Sequence, residues 1–298
     1  MKDIKRILIA LDFTEMDQYL IGFLSKNKQL FTNLEQAYFI HVERDLGSEE
    51  SDKPIDEVLM QKEKNEVSSL DDEWLKSRAS FHIIEGDPLK EILNWSEIKK
   101  VDLLMVGHKK LENGSGILMQ RLARKIRTSV LVIPPKNIEV HKLLIPLDFS
   151  DHSEQAIKLA VQIGDLAKDS ELVGHHLFQV PTGYTKTGKT YEEMETIMHG
   201  HAETNFNNFL KKCKISENKI QKRIEHSKFS TVSDTIIQTS QDLQSDMIII
   251  GSKGQTFASW VLLGSIAERL IVKNYRAALL IVKKKNENFG FWEAFKKI

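Results

Sequence analysis

"ILIALDFTE", residues 7–15, and "LLIPLDFSD", residues 143–151, carry the same Leu, Ile, Leu, Asp and Phe at matching places. A second pair confirms the match, "DLLMVGHKK" at 102–110 and "DMIIIGSKG" at 246–254, at a slightly longer spacing because the second copy has the longer middle segment. The chain is a tandem duplication. "PPKN", residues 134–137, lies just before the second copy and supplies the breaker signals of a linker. The reading divides the chain into a first domain at 1–137, a second at 138–285 and a tail at 286–298.

Within each half, short runs of Ile, Leu and Val alternate with longer amphipathic stretches, the pattern of βα units on a parallel sheet. In the second half strands are expected near 142–147, 171–180, 219–225, 246–250 and 277–282, with helices near 153–167, 191–212, 232–243 and 262–273. Near-continuous apolar runs such as "MIII" and "LLIV" suit strands covered on both faces. The expectation is an α/β fold of two doubly wound domains, each with five parallel strands flanked by helices.

A chain of 298 residues fits two cores of ordinary size. Its 42 basic residues balance 42 acidic ones, so no net field draws it to nucleic acid or to an anionic membrane. Cys213 is the single cysteine, which excludes an intrachain disulfide and fits a reducing compartment. The N-terminal apolar run is too short for a signal peptide, and no later run reaches the length of a membrane span. A cytoplasmic location is expected. The tail, with Phe291, Trp292 and Phe295 among lysines, reads as a short packing segment, on its own or a neighbouring subunit.

In open α/β sheets a ligand sits beyond the carboxyl ends of the strands, where the winding reverses. Asp148 follows the first strand of the second half and can accept hydrogen bonds from ribose hydroxyls or an adenine amine, or else cap the next helix. Across the crevice comes "GSKGQTFASWVLLGSIAERL". Gly251 and Gly254 let the backbone approach a ligand, and Gly264 and Ser265 stand near a helix start, where free amides and the helix dipole favour an anion. Together these read as a nucleotide phosphate site.

The spacing G-x2-G-x9-G-[ST], met by Gly251, Gly254, Gly264 and Ser265, with "LLIPLDFS" and the duplication, resembles a tandem universal stress protein of the nucleotide-binding type. The resemblance covers about residues 3–136 and 141–284. It implies a strand order 3-2-1-4-5 in each copy, two copies paired as a dimer-like unit, and a stress-response or signalling role. It further implies that Pro146, Leu147, Asp148 and the end of strand two near Val180 hold adenosine, and that Gly251, Gly254, Gly264, Ser265 and Ile266 hold the phosphates of ATP, with or without magnesium. The protein's partners are then an adenine nucleotide and, for each repeat, the other repeat or a second chain. No nucleophile paired with a base is visible, so no catalytic residue is assigned and slow ATP hydrolysis stays open.

Aligned without gaps, the first copy keeps Gly107 and Asp12 but has Lys110 in place of Gly254, and Gln120 and Arg121 in place of Gly264 and Ser265. A degenerate nucleotide motif is expected there, with "NGSG", 113–116, as an alternative anion nest. A competing motif, "GYTKTGKT" at 183–190, fits G-x-x-x-x-G-K-[ST], but no strand ends in an aspartate suited to magnesium. Lys189 and Thr190 then either form a lid over the crevice or belong to a helix that Thr190 caps. His175 and His176, adjacent on a strand, point to opposite faces and cannot share a metal, and no metal site is assigned. Two other functions remain in view: a nucleotide-free interaction protein, and a phosphotransferase using the 183–190 loop.

Overall fold

The computed structural model describes residues 1, 4–43, 55–69, 73–108, 115–227, 231–254 and 263–284. The first repeat runs β1 (Arg6–Leu11), α1 (Met16–Lys26), β2 (Gln36–Glu43), α2 (Ile55–Ser69), α3 (Glu73–Lys76), β3 (Ala79–Glu85), α4 (Pro88–Ile98), β4 (Leu103–Gly107), α5 (Ser115–Lys125) and β5 (Ser129–Ile133). The second runs β6 (Lys142–Pro146), α6 (Asp151–Leu166), β7 (Glu171–Phe178), α7 (Tyr191–Cys213), β8 (Gln221–His226), α8 (Val232–Asp242), β9 (Met247–Gly251), α9 (Ser265–Lys273) and β10 (Ala278–Val282).

The ten strands form one sheet in the order β3-β2-β1-β4-β5-β10-β9-β6-β7-β8. Read inward from its own outer edge, each repeat is wound 3-2-1-4-5. All pairs are parallel except the central one, where β10 meets β5 antiparallel with Leu280 opposite Leu131. That exception follows from a twofold relation between the repeats, which turns their strand directions against each other at the seam.

Helices cover both faces, as the continuous apolar runs require. One core packs α1, α2, α6 and α7 on the sheet through residues such as Phe23, Met60, Ile157 and Phe206. The other packs α4, α5, α8 and α9 through Ile92, Leu122, Ile236 and Leu270. Every residue of β10 and of β9 is buried. At the seam Arg124 on α5 grips Glu268 on α9 with two hydrogen bonds, 2.6 and 2.9 Å. The Lys283 ammonium, half-buried and with its pKa pushed down to about 7 by desolvation, donates to the carbonyls of Ala123 and Ile126 at the end of α5.

Two aspartates before strands have structural duties. Asp102 Oδ2 accepts the amides of Lys5 and Arg6, and Asp246 Oδ2 accepts those of His141 and Lys142, so each fixes the start of its repeat's first strand. Buried Asn27 at the end of α1 donates to the Ile138 carbonyl and accepts the Val140 amide, which pins the linker to the first repeat.

The tail at 286–298, Lys110 and the Asn113–Gly114 pair lie outside the described residues. The gap-free alignment of the first copy is corrected. Helix α5 starts at Ser115, so Gln120 and Arg121 lie in its middle and are not counterparts of Gly264 and Ser265. Eight positions carry the chain from Gly107 to Ser115, against fourteen from Gly251 to Ser265. The first repeat's connection is therefore shorter, and Ser115 opens α5 where Ser265 opens α9.

Candidate functional site

Strand β6 ends at Pro146, and the chain turns sharply through Phe149, whose φ of 64° is left-handed. The turn is held from both sides. Phe149 stacks on His176 at 4.2 Å, and His176 Nδ1 donates to the Leu147 carbonyl at 2.8 Å. Burial lowers the His176 pKa, so the ring is neutral and keeps that tautomer. The first repeat makes the same turn with Phe13 on His41.

Asp148 is not the cap of α6. That position belongs to Ser150, whose hydroxyl accepts from the Ser153 amide. Asp148 Oδ1 accepts instead from the Ser150 amide at 3.1 Å and from the Ser153 hydroxyl at 2.5 Å, which orients the carboxylate at the strand end.

Opposite, β9 ends at Gly251, and the reason for glycine there differs from the expected one. A Cβ at Gly251 would lie 2.7 Å from the carbonyl carbon and from Cβ of His152, so the residue is small because the first turn of α6 crosses it. Gly264 is the residue before the first turn of α9, with φ −76° and ψ 147°, and its amide donates to the Ser252 carbonyl at 2.7 Å. The next three amides, of Ser265, Ile266 and Ala267, have no acceptor within a helix by its geometry. They present a positive helix end.

Between these elements lies a cavity of ≈ 200 Å³. It brings together Pro146, Leu147, Asp148, Gly251, Gly254, Gly264 and Ile266, all singled out in the sequence. Ser265 is exposed at the start of α9 and does not line it. Val180 does not either: β7 ends at Phe178, and the β7 residues at the cavity are His175, His176 and Leu177. Lys189 and Thr190 are exposed and away from the lining. The segment before them is a 3-10 turn at Tyr184–Thr187, and Thr190 forms a reciprocal capping box with Glu193 at the start of α7. That accounts for the threonine by helix capping.

Sequence reasoning missed His175, Lys253, Val232 and Ile236, which also line the cavity. Lys253 carried a signal, since it stands inside the glycine stretch and adds a cation near the α9 end. Val232 and Ile236 carried none, because only packing brings α8 over the end of β7.

A model of the universal stress protein family matches residues 3–134 and again residues 139–283. The chain belongs to the universal stress protein family. This universal stress protein is 27% identical over 163 residues to universal stress protein MJ0577 of Methanocaldococcus jannaschii, covering 49% of this chain and 96% of that one. It is 30% identical over 146 residues to MJ0531 of the same organism, covering 48% and 82%. Each relative thus spans about one repeat. Among solved structures, the functionally unknown protein PA1789 of Pseudomonas aeruginosa PAO1 aligns with TM-score 0.68 at 16% identity, over 100% of this chain and 99% of that one. A universal stress protein of Archaeoglobus fulgidus DSM 4304 aligns with TM-score 0.58 at 16% identity, over 94% and 99%. At such identities the likeness is one of fold. No helix among the described residues is long and apolar enough to cross a membrane.

Proposed function

We propose that the second repeat of this universal stress protein binds ATP or a related adenine nucleotide and acts as a nucleotide-responsive stress or signalling module. The observation that carries the reading is the meeting of Asp148, Gly254, Gly264 and Ile266 around one cavity at the reversal point between β6 and β9. Open α/β sheets bind ligands at such a point. Base and ribose fit the apolar part between Leu147, Leu177 and Ile236, with Asp148 accepting from ribose hydroxyls. The phosphates lie toward Lys253, Gly254 and the amides of Ser265 to Ala267, where the helix end favours an anion. Magnesium, if it accompanies ATP, is held largely by the phosphates, since no group of three ligating side chains is gathered among the described residues.

The capping box at Thr190 speaks against a phosphotransferase built on residues 183–190, because the threonine hydroxyl and Glu193 already satisfy each other's backbone amides. Denaturing freshly purified protein and identifying the released small molecules tests the proposal. The expected product is an adenine nucleotide at up to about one per chain, or else saturable binding of added ATP by calorimetry. If the native protein neither releases nor binds a nucleotide, the proposal fails and the nucleotide-free interaction role takes its place.

A further inference from the structure

Strand β8 ends the sheet, and its outer side pairs with no strand among the described residues. In a parallel ladder alternate residues turn both backbone groups to the same neighbour. The Ser227 amide donates to the Phe178 carbonyl, so Arg223 and Glu225, in step with Ser227, address β7. Lys222, Ile224 and His226 therefore turn their backbone groups outward. Side chains alternate between the faces as well. Ile224 packs on the core beneath α7, and the Tyr191 hydroxyl lies 3.2 Å from His226 Nε2. On the other face Glu225 Oε2 accepts from the Thr239 hydroxyl of α8 at 3.2 Å and is bonded by His175 Nε2 at 3.0 Å. A second cavity, of ≈ 740 Å³, is lined by residues 223–226 together with His199 of α7 and Gln238 of α8. It is a trough along the free edge with a helix on either side.

An open edge is a template for another strand, and charges placed on it usually deter pairing. On β8 the charges select a register. Two copies of the edge can meet antiparallel about a twofold axis, with outward-turned residues opposite one another. Centred on Lys222 or Arg223, such a pairing opposes like cations, and centred on Glu225 it opposes like anions. Centred on Ile224, it sets Arg223 of each copy against Glu225 of the other. That pair falls at the closely spaced positions of the ladder, about 4.5 Å between Cα atoms. Arg223 and Glu225 are 33% and 29% exposed and 2.7 Å apart, so both reach the surface, and the four charges alternate around the axis. Ile224 faces its own copy on the α7 side, an apolar pair at the centre. The chain carries 42 basic against 42 acidic residues, so no net repulsion opposes the approach. Strand β3, at the other end of the sheet, has Glu85 but no lysine or arginine and holds no such code.

We propose that the β8 edge is an interaction surface for a second copy of this chain, the two joined antiparallel about Ile224 into one continuous sheet. Ile224 exchanges both backbone hydrogen bonds with its own copy, and Lys222 exchanges them with His226. The Arg223–Glu225 pairs cross the axis on the α8 side. The contact leaves the β5–β10 seam inside each chain, and it does not depend on the nucleotide reading above.

Sedimentation velocity over about 1–500 µM tests the proposal, since one strand edge with its flanks lies at the small end of specific interfaces, with dissociation constants of about 1–100 µM. The native chain is expected to pass reversibly from monomer to dimer across that range. Arg223→Glu sets carboxylate against carboxylate in both cross pairs and weakens the dimer by at least about tenfold. Ile224→Pro removes the outward amide at the axis, leaves the β7 ladder its bonds and abolishes the dimer. Circular dichroism identifies which variants are folded. The register is read by placing Ile224→Cys or Lys222→Cys in a Cys213→Ala background and adding a short thiol cross-linker. The two copies of residue 224 lie about 5.5 Å apart between Cα atoms and those of residue 222 about 14 Å, so only Ile224→Cys is linked. A native chain that stays monomeric throughout, a dimer that the folded variants leave unchanged, or equal linking at 222 and 224 overturns the inference.

Discussion

At Asp17 a single side chain separates the two repeats electrostatically. It occupies in the first repeat the place of Ser153 in the second, and its carboxylate accepts the amides of Asp12 and Phe13. Burial first, and then the charge of Asp12, raise its pKa from 3.8 to about 7. A carboxyl raised on folding contributes stability that is present below about 4 and lost as the pH climbs through about 7. Asp17→Asn removes this dependence. The unfolding midpoint of the variant, taken relative to the native chain, should therefore rise between pH 5 and pH 8; a flat difference contradicts the assignment. At Ser265, exposed at the first position of α9, glutamate suits the helix dipole by about 0.3–1 kcal/mol. The same charge repels a triphosphate. Ser265→Glu should keep or slightly raise the melting temperature while weakening ATP binding by at least about tenfold, a combination that general misfolding does not produce.

Elements account for what single residues leave unexplained. Gly251 was legible as part of a motif, yet its contact with the first turn of α6 was not, because helix crossing is a property of packed elements. Gly251→Ala should cost about 1–3 kcal/mol in urea unfolding, the range for an overpacked contact that backbone cannot easily relieve. Thr190 works the other way. Its match to a phosphate loop was visible in the sequence, and the capping box that explains it equally so, through Glu193 three residues on. Thr190→Ala should cost about 1 kcal/mol through loss of the cap. Lys189→Ala together with Thr190→Ala should leave nucleotide affinity unchanged; a loss of binding would return the 183–190 loop to the site.

For the whole molecule the decisive feature is the antiparallel seam of β5 and β10, which makes one sheet of two domains. Leu280 and Leu131 are fully buried there, and α5 and α9 close over it with the Arg124–Glu268 pair. The ion pair is half exposed and contributes little by itself, about 0–1 kcal/mol. The buried strands carry the joint. Leu280→Ala should destabilise the chain by about 2–5 kcal/mol, and unfolding followed by a probe in either repeat should shift together, since neither can unzip from the seam alone. Separate transitions at unchanged positions would show the repeats to be independent.

The duplication, the alternation of strands and helices, and the glycine and aspartate positions at the strand ends are all written in the chain. Those are local: a strand's period, a turn residue or a repeated motif is written in a few neighbouring letters. Packing, by contrast, sets Gln120 inside a helix, brings His175, His176 and Leu177 rather than Val180 to the cavity, and makes His175, Glu225 and Thr239 neighbours. Loop lengths between repeats are adjusted where no motif marks the change, and residues from β7, β8 and α8 become neighbours through sheet register and helix packing alone. That is why the glycine motif was readable from the chain, and the polar network of His175, Glu225 and Thr239 was not.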